Sequence, residues 1–158
     1  MNSELLRSIS DCSDEIEKIK KWIDKNPMDT LVKYLVSYAV VKSSGTIEIV
    51  FKSILYVFLA DGCKKETETF IEKNVLDISC NPGTRNIKNL LDRIDTEKSV
   101  KFEELTKGTV EKEDLNSLVK LRNDIAHGRD ISISINTVKR FYESGIGILK
   151  VLDSLFMD

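Results

Sequence analysis

The only histidine of the chain stands a short distance after an arginine. His127 follows Arg122 and Asn123 and is followed directly by Gly128. An imidazole near its ordinary pKa accepts or donates a proton, and a guanidinium offers two parallel donors to a phosphate. Together these groups suit cleavage of RNA by its own 2′-hydroxyl, which needs a base, an acid and positive charge to stabilise the phosphorane.

The spacing of the two residues restricts how they can act. On a regular helix, residues five apart point about 140° away from each other and lie about 7.5 Å apart along the axis. Arg122 and His127 therefore reach one ligand only if the helix frays at residues 126–128 or if a second copy brings its own motif opposite the first. With one histidine per chain, a two-histidine mechanism is closed to the monomer and open to a symmetric dimer.

The composition indicates a globular, helix-rich protein. A chain of 158 residues fits one domain with one core, and hydrophobic residues make up 41% of it. The net charge is −2, so contact with nucleic acid must come from local cations rather than from the overall field. The candidates near the motif are Lys120, Arg129, Lys139 and Arg140. Ordinary solvated surface charge accounts for these four residues equally well.

Cysteine usage and hydropathy favour a cytoplasmic protein without a membrane span. Cys12, Cys63 and Cys80 form no C-x-x-C pair, which indicates reduced thiols and neither a disulfide framework nor a zinc site. The start of the chain lacks the pattern of a signal peptide. The most apolar region, residues 31–60, is interrupted by four charged residues, and we expect a core helix there.

Apolar periodicity and turn residues predict an all-α bundle of four to five long helices. Ser3 caps a first helix that runs to about Lys25, and later helices span about residues 29–59, 66–78, 84–94 and 111–127. Residues 95–109 are too polar to assign, and residues 129–135 form an extended connection. A last helix begins at Ser134 or Asn136 and continues to the end of the sequence.

The stretch Arg122-Asn123-x-x-x-His127 resembles the R-x(4–6)-H signature of the HEPN superfamily. Two further segments fall in the order seen in RiboL-PSP-type HEPN proteins, namely residues 43–48 with Glu48, and the turn at residues 81–83 with the helix that follows. The resemblance covers roughly residues 30–155. The first helix, residues 3–25, is then an addition within a single domain, 1–158.

The resemblance implies an up-and-down helical bundle that dimerises and cleaves RNA without a metal or another cofactor. It also implies a role as a toxin or in phage defence, with an antitoxin or a partner defence protein as a possible associate. Transferred by position, Arg122 binds the scissile phosphate, His127 is acid or base, and Asn123 orients the site. Asp124 lies outside the core signature and is a supporting residue at most.

Alternatives remain open for each of these residues. Arg122 can be a surface cation paired with Asp124 or Glu113, and a histidine at a helix C-terminus is favoured by the helix dipole alone. Glu48, in an apolar setting, either holds Arg122 or pairs with Lys52 one turn further on. The family also includes members that only bind RNA, a nucleotide or a protein, and a purely structural dimerisation domain is a third possibility.

Overall fold

A computed structural model describes residues 1–157 and contains only helices and connections over that range. The seven α-helices, numbered in chain order, are α1 (Ser3–Lys25), α2 (Val32–Ala60), α3 (Lys65–Ile71), α4 (Thr84–Asp92), α5 (Thr96–Thr106), α6 (Val110–Ala126) and α7 (Ile135–Ser154). The all-α prediction is confirmed, and the number of helices is higher than the four to five that were predicted.

The first and last helices begin at side-chain caps. The Asn2 side chain accepts a hydrogen bond from the backbone N–H of Leu5 at 3.0 Å, so Asn2 rather than the predicted Ser3 is the cap of α1. Ser134, one of the two predicted caps, accepts from the backbone N–H of Thr137 at 3.1 Å and starts α7. Residues 129–134 form neither helix nor strand, as predicted, whereas Ile135, placed in the connection by the sequence, is the first residue of α7.

Helix α2 lies in the middle of the bundle and contacts α1, α6 and α7. Its side chains Ile47, Phe51 and Leu55 are fully buried in the core. Contrary to the expectation from its charged residues, α2 contains an 18-residue window long and apolar enough to cross a membrane. Core helices of soluble proteins meet the same criterion, and 44% of that window is buried, so the evidence for a span is weak.

The segment predicted as one helix over residues 66–78 is α3 followed by a π-helical turn, Glu72–Leu76. Lys52 of α2 is buried and donates to the backbone carbonyls of Leu76, at 3.5 Å, and Ile78. The same ammonium pairs with the Glu48 carboxylate at 2.7 Å. Lys52 therefore ties the carbonyls at the end of this turn to the central helix, which explains how an irregular segment is held.

Two contacts fix the first half of α6 against its neighbours. The Asn116 side chain accepts from the backbone N–H of Thr84 at 3.1 Å and donates to the Thr84 hydroxyl at 3.1 Å, which joins α6 to the start of α4. On the other side of α6, α7 carries Gly145, where a Cβ would lie 3.4 Å from Cδ1 of Leu115 in α6 and 2.3 Å from Cδ1 of Ile47 in α2. A larger residue there would force the buried Ile47 side chain to shift.

Candidate functional site

The motif lies where α6 ends. The last helical residue is Ala126, and His127 is the C-cap, with φ −91° and ψ 12°. Its backbone N–H donates to the carbonyls of Asn123, at 3.0 Å, and Asp124, at 3.2 Å. Gly128 then adopts φ +72°, the left-handed conformation with which many helices end. The helix thus ends within residues 126–128, the place where fraying was one of the two predicted ways for Arg122 and His127 to reach one ligand, and the His127 side chain is exposed.

Arg122 and Asn123 are brought together by a direct hydrogen bond. Nη1 of Arg122 donates to Oδ1 of Asn123 at 3.2 Å, and both residues are half-buried. The Asn123 amide therefore restricts the orientation of the guanidinium. The remaining N–H groups of Arg122 make no hydrogen bond or ion pair among residues 1–157, so they are free to bind an anion.

Asp124 serves the connection after the helix. Its Oδ1 accepts from Nη1 of Arg129 at 2.9 Å, and its backbone carbonyl accepts from the N–H of Arg129 at 2.9 Å. The sequence left open a pair between Asp124 and Arg122. The carboxylate pairs instead with Arg129. This pair fixes the chain just beyond His127 and partly neutralises a cation that was predicted to bind RNA.

Glu48 has the alternative partner that the sequence left open. Its carboxylate pairs with Lys52 at 2.7 Å, and the two side chains are largely buried. Within the described residues Glu48 makes no ion pair with Arg122, so the predicted support of the arginine by Glu48 is not found. Asn123 is the residue that holds Arg122 instead.

The four predicted RNA-binding cations do not form one free cluster. Lys139 pairs with Glu17 of α1, and Arg140 donates to Asp114 at 3.2 and 3.3 Å. Arg129 is engaged as described above. Lys120 alone is exposed and has no charged partner in the part of the chain that the structure describes. The cationic lip expected around the motif is therefore reduced to Lys120 and Arg122.

A groove beside the motif was missed at the level of sequence. It has a volume of about 200 Å³ and lies between the first turns of α2, with Lys33 and Tyr34, and the segment from Ile125 to Ile131. Nζ of Lys33 lies 4.8 Å from the centre of the Tyr34 ring. No local sequence pattern predicts this groove, because the two segments that line it, in α2 and at the end of α6, are about ninety residues apart in sequence. Lys33 adds a cation near the motif.

An apolar stripe runs along α2 from this groove. Its members are Tyr34, Tyr38, Val41 and Ile49, which are 61%, 46%, 43% and 63% exposed. With Gly45 they follow each other at steps of three and four residues, so they lie on one face of the helix. Large apolar side chains that share an exposed face mark a surface able to bind another protein.

Comparison with known families identifies the chain as a whole. The family model for RiboL-PSP-HEPN matches residues 3–158. The chain belongs to the RiboL-PSP-HEPN family. Neither the curated proteins nor the solved structures yield a match. The matched range of this RiboL-PSP-HEPN chain includes α1, which the resemblance had left outside, and membership is consistent with either RNA cleavage or RNA binding.

Proposed function

We propose that this RiboL-PSP-HEPN protein is a metal-independent endoribonuclease that acts as a homodimer. The observation that carries the proposal is the end of α6, where an exposed His127 follows a guanidinium held by Asn123. His127 is exposed, and Arg122 is half-buried with N–H groups that have no partner among residues 1–157.

The proposed reaction uses the 2′-hydroxyl of the RNA as the nucleophile. His127 of one protomer removes the 2′-hydroxyl proton, and the 2′-oxygen forms a bond to phosphorus. The bond between phosphorus and the 5′-oxygen breaks, and that oxygen takes a proton from the partner's His127. Arg122 stabilises the charge on the phosphorane through its free N–H groups. The products are a 2′,3′-cyclic phosphate and a 5′-hydroxyl, and Asn123 acts by positioning Arg122.

The apolar stripe on α2 supports a dimer. Tyrosines and aliphatic side chains at an exposed face are typical of the apolar centre of a protein interface. Tyr34 belongs both to the stripe and to the groove beside Ile125. Ile125 and Arg129, on either side of His127 in sequence, line that groove. A two-fold axis near this end of α2 would therefore bring the two copies of His127 towards one cleft, as the two-histidine mechanism needs.

The cellular role follows from the same proposal. We expect the protein to act in the cytoplasm, where RNA is the substrate and where the free thiols of Cys12, Cys63 and Cys80 stay reduced. An endoribonuclease of this kind suits a toxin or a phage-defence enzyme. A neighbouring antitoxin or partner defence protein would then act by covering the cleft or by separating the protomers.

The test is cleavage of labelled RNA in excess EDTA. The purified protein is expected to leave 2′,3′-cyclic phosphate ends, and His127→Ala and Arg122→Ala are each expected to reduce the rate by at least about a hundredfold. Val41→Asp, in the middle of the apolar stripe, is expected to give a monomer by light scattering and to lose cleavage. Phe70→Asp is the matched control, because Phe70 is 65% exposed and lies on α3, away from the stripe.

Three results would contradict the proposal. Cleavage that survives in His127→Ala would assign the activity to another group or to a contaminant. A fully active Val41→Asp monomer would remove the need for a shared site. Retained RNA binding without cleavage across varied RNAs would identify instead a module of the family that binds RNA and does not cut it.

A further inference from the structure

A second concave surface lies between α4, α5 and α6, at the other end of α6 from His127. Its volume is about 570 Å³, and Lys112 and Asn116 of α6 form one wall. Asn116 is fixed there by its two hydrogen bonds with Thr84, which is buried. Phe102, 1% exposed, closes the inner end. The α4–α6 pocket therefore has a rigid polar wall and no aromatic face on which a base can stack.

The lining of the α4–α6 pocket is positively charged. Three lining residues are cations, Arg85, Lys88 and Lys112, and one, Glu103, is an acid, which gives 3 − 1 = +2 in a chain whose net charge is −2. Lys88 pairs with Glu103, whereas Arg85 and Lys112 have no charged partner in the described range 1–157. The hydrogen bond from Lys88, and then the charges of Lys88 and Lys112, lower the pKa of Glu103. The surplus of positive charge suits an anion.

A polar stripe on α6 connects this pocket to the motif. Lys112, Asn116, Lys120 and Asn123 project within about 80° of one another on a regular helix. All four are exposed or half-buried, and His127 follows Asn123 four residues later at the cap. From Lys112 to His127 the stripe is about 22 Å long, because each residue advances the helix by about 1.5 Å.

We propose that the α4–α6 pocket binds a backbone phosphate of the same RNA strand that is cleaved at His127, and that the stripe on α6 guides the strand between the two sites. This inference rests on the proposed function, because it takes the cleavage site as the other end of the strand. A stacked strand advances about 3.4 Å per nucleotide, so the two sites lie about six nucleotides apart, or fewer if the strand is extended. Arg85 and Lys112 supply the charge-assisted hydrogen bonds, and Lys120 makes a contact on the way.

Binding of uncleavable RNA tests the proposal independently of catalysis. The probes are fluorescein-labelled 2′-O-methyl oligonucleotides of two to eight nucleotides, which lack the attacking hydroxyl, and affinity is measured by anisotropy. Affinity is expected to rise in a step between about four nucleotides, for an extended strand, and about seven, for a stacked one, once the strand reaches both sites. Lys112→Ala and Arg85→Ala are each expected to weaken binding of the octamer about tenfold, the loss of one charge-assisted hydrogen bond, and to leave the dinucleotide unaffected.

Two matched variants separate a specific site from general charge. Lys150→Ala removes an exposed lysine of α7 that has no hydrogen bond or ion pair within residues 1–157 and is expected to change octamer affinity less than twofold. Glu103→Gln removes the acid that lines the pocket and is expected to tighten octamer binding, a gain that a misfolded protein cannot give. Each lost phosphate contact should also lower the slope of log affinity against log salt concentration by about 0.7.

The outcomes distinguish this inference from the proposed function. A step in affinity that Lys112→Ala abolishes supports the strand path, even if the RNA is never cleaved and the proposed function fails. If cleavage requires His127 but octamer affinity does not change in Lys112→Ala and Arg85→Ala, the proposed function still stands and the strand path is overturned. Lys112-dependent competition by adenosine monophosphate, with no gain for longer oligonucleotides, also overturns it, because the pocket is then a site for free nucleotides.

Discussion

A polar cluster in the first half of α6 and the motif in its last turn differ in how many hydrogen bonds their charged side chains make. In the first half, the buried Asp114 carboxylate accepts from Nε of Arg140 at 3.2 Å, from Nη2 of the same residue at 3.3 Å and from the Ser144 hydroxyl at 2.9 Å. In the last turn, Arg122 has a single hydrogen bond, to its neighbour Asn123, and His127 is exposed. Buried charges need partners, whereas exposed groups do not.

The difference separates a structural cluster from a candidate site. Asp114, Arg140 and Ser144 satisfy one another and join α6 to α7, so nothing in that cluster is left for a ligand. The Arg122 guanidinium is bonded to Asn123, and the backbone of His127 is fixed at the helix cap, while the other side-chain donors and acceptors of both residues have no partner within residues 1–157. We therefore expect substitutions in the Asp114 cluster to change stability and substitutions in the last turn to change activity.

The largest expected loss of stability follows removal of the carboxylate from the first half. Asp114→Ala is expected to lower the free energy of unfolding by about 2–3 kcal/mol, since it removes hydrogen bonds to a charged group and leaves Ser144 without its acceptor. Urea denaturation at pH 7 measures the change. Asp114→Asn, which keeps an acceptor for Ser144, is the matched control and should lose less. A drop in cleavage by folded Asp114→Ala, with the urea midpoint unchanged, would erase the distinction between the two halves.

Sequence reasoning predicted the helices that carry their own boundary signals. The start of α4 after the turn at residues 81–83 and the cap of α7 at Ser134 are local features, so the turn residues located the first and the cap residue located the second. The predicted cap of α4, Thr84, is instead its first helical residue, after Gly83. Helix α5 could not be assigned, because apart from Phe102 its buried positions are polar, Ser99 and Thr106, and give no apolar stripe. The π turn depends on Lys52, which contacts it across more than twenty residues.

The candidate site was predictable in its residues and not in its contacts. The sequence places Arg122, Asn123 and His127 within six residues, and Gly128 predicts the end of the helix. It does not reveal that Lys139 pairs with Glu17, because α7 and α1 meet only in the folded chain. For Glu48 the partner one turn away, Lys52, is the one observed. The local partner needs no tertiary arrangement to be in reach.

A smaller loss of stability is expected where Gly145 of α7 packs between Ile47 of α2 and Leu115 in the first half of α6. Gly145→Ala places a methyl group 2.3 Å from Cδ1 of Ile47, and the shift needed to relieve this overlap should cost about 1–2 kcal/mol of unfolding free energy. Gly147→Ala, two residues along the same helix, is the matched control. Its Cβ meets only the flexible Glu111 side chain at 3.3 Å, and the better helix propensity of alanine should leave stability equal or higher by about 0.5–1 kcal/mol. Thermal unfolding of the two variants measures the difference in stability. Equal losses of stability would mean that the close packing at Gly145 does not determine the position of α7.

The smallest effect is expected on the other side of the comparison, at the ion pair next to the motif. Arg129 is bonded to Asp124 at 2.9 Å, but its side chain is 71% exposed, so solvent screens the pair. Arg129→Ala is therefore expected to change the free energy of unfolding by no more than about 0.5 kcal/mol. Because Asp124 already binds the Arg129 guanidinium, Arg129→Ala should bind the 2′-O-methyl octamer nearly as well as the wild type. Lys120 is exposed and has no such partner within residues 1–157, so Lys120→Ala should bind the octamer more weakly. Each of the two variants removes one positive charge. Equal losses of affinity would show that RNA binding depends only on the overall charge of this end of α6. A larger loss for Arg129→Ala would place Arg129, in spite of its partner, in direct contact with the strand.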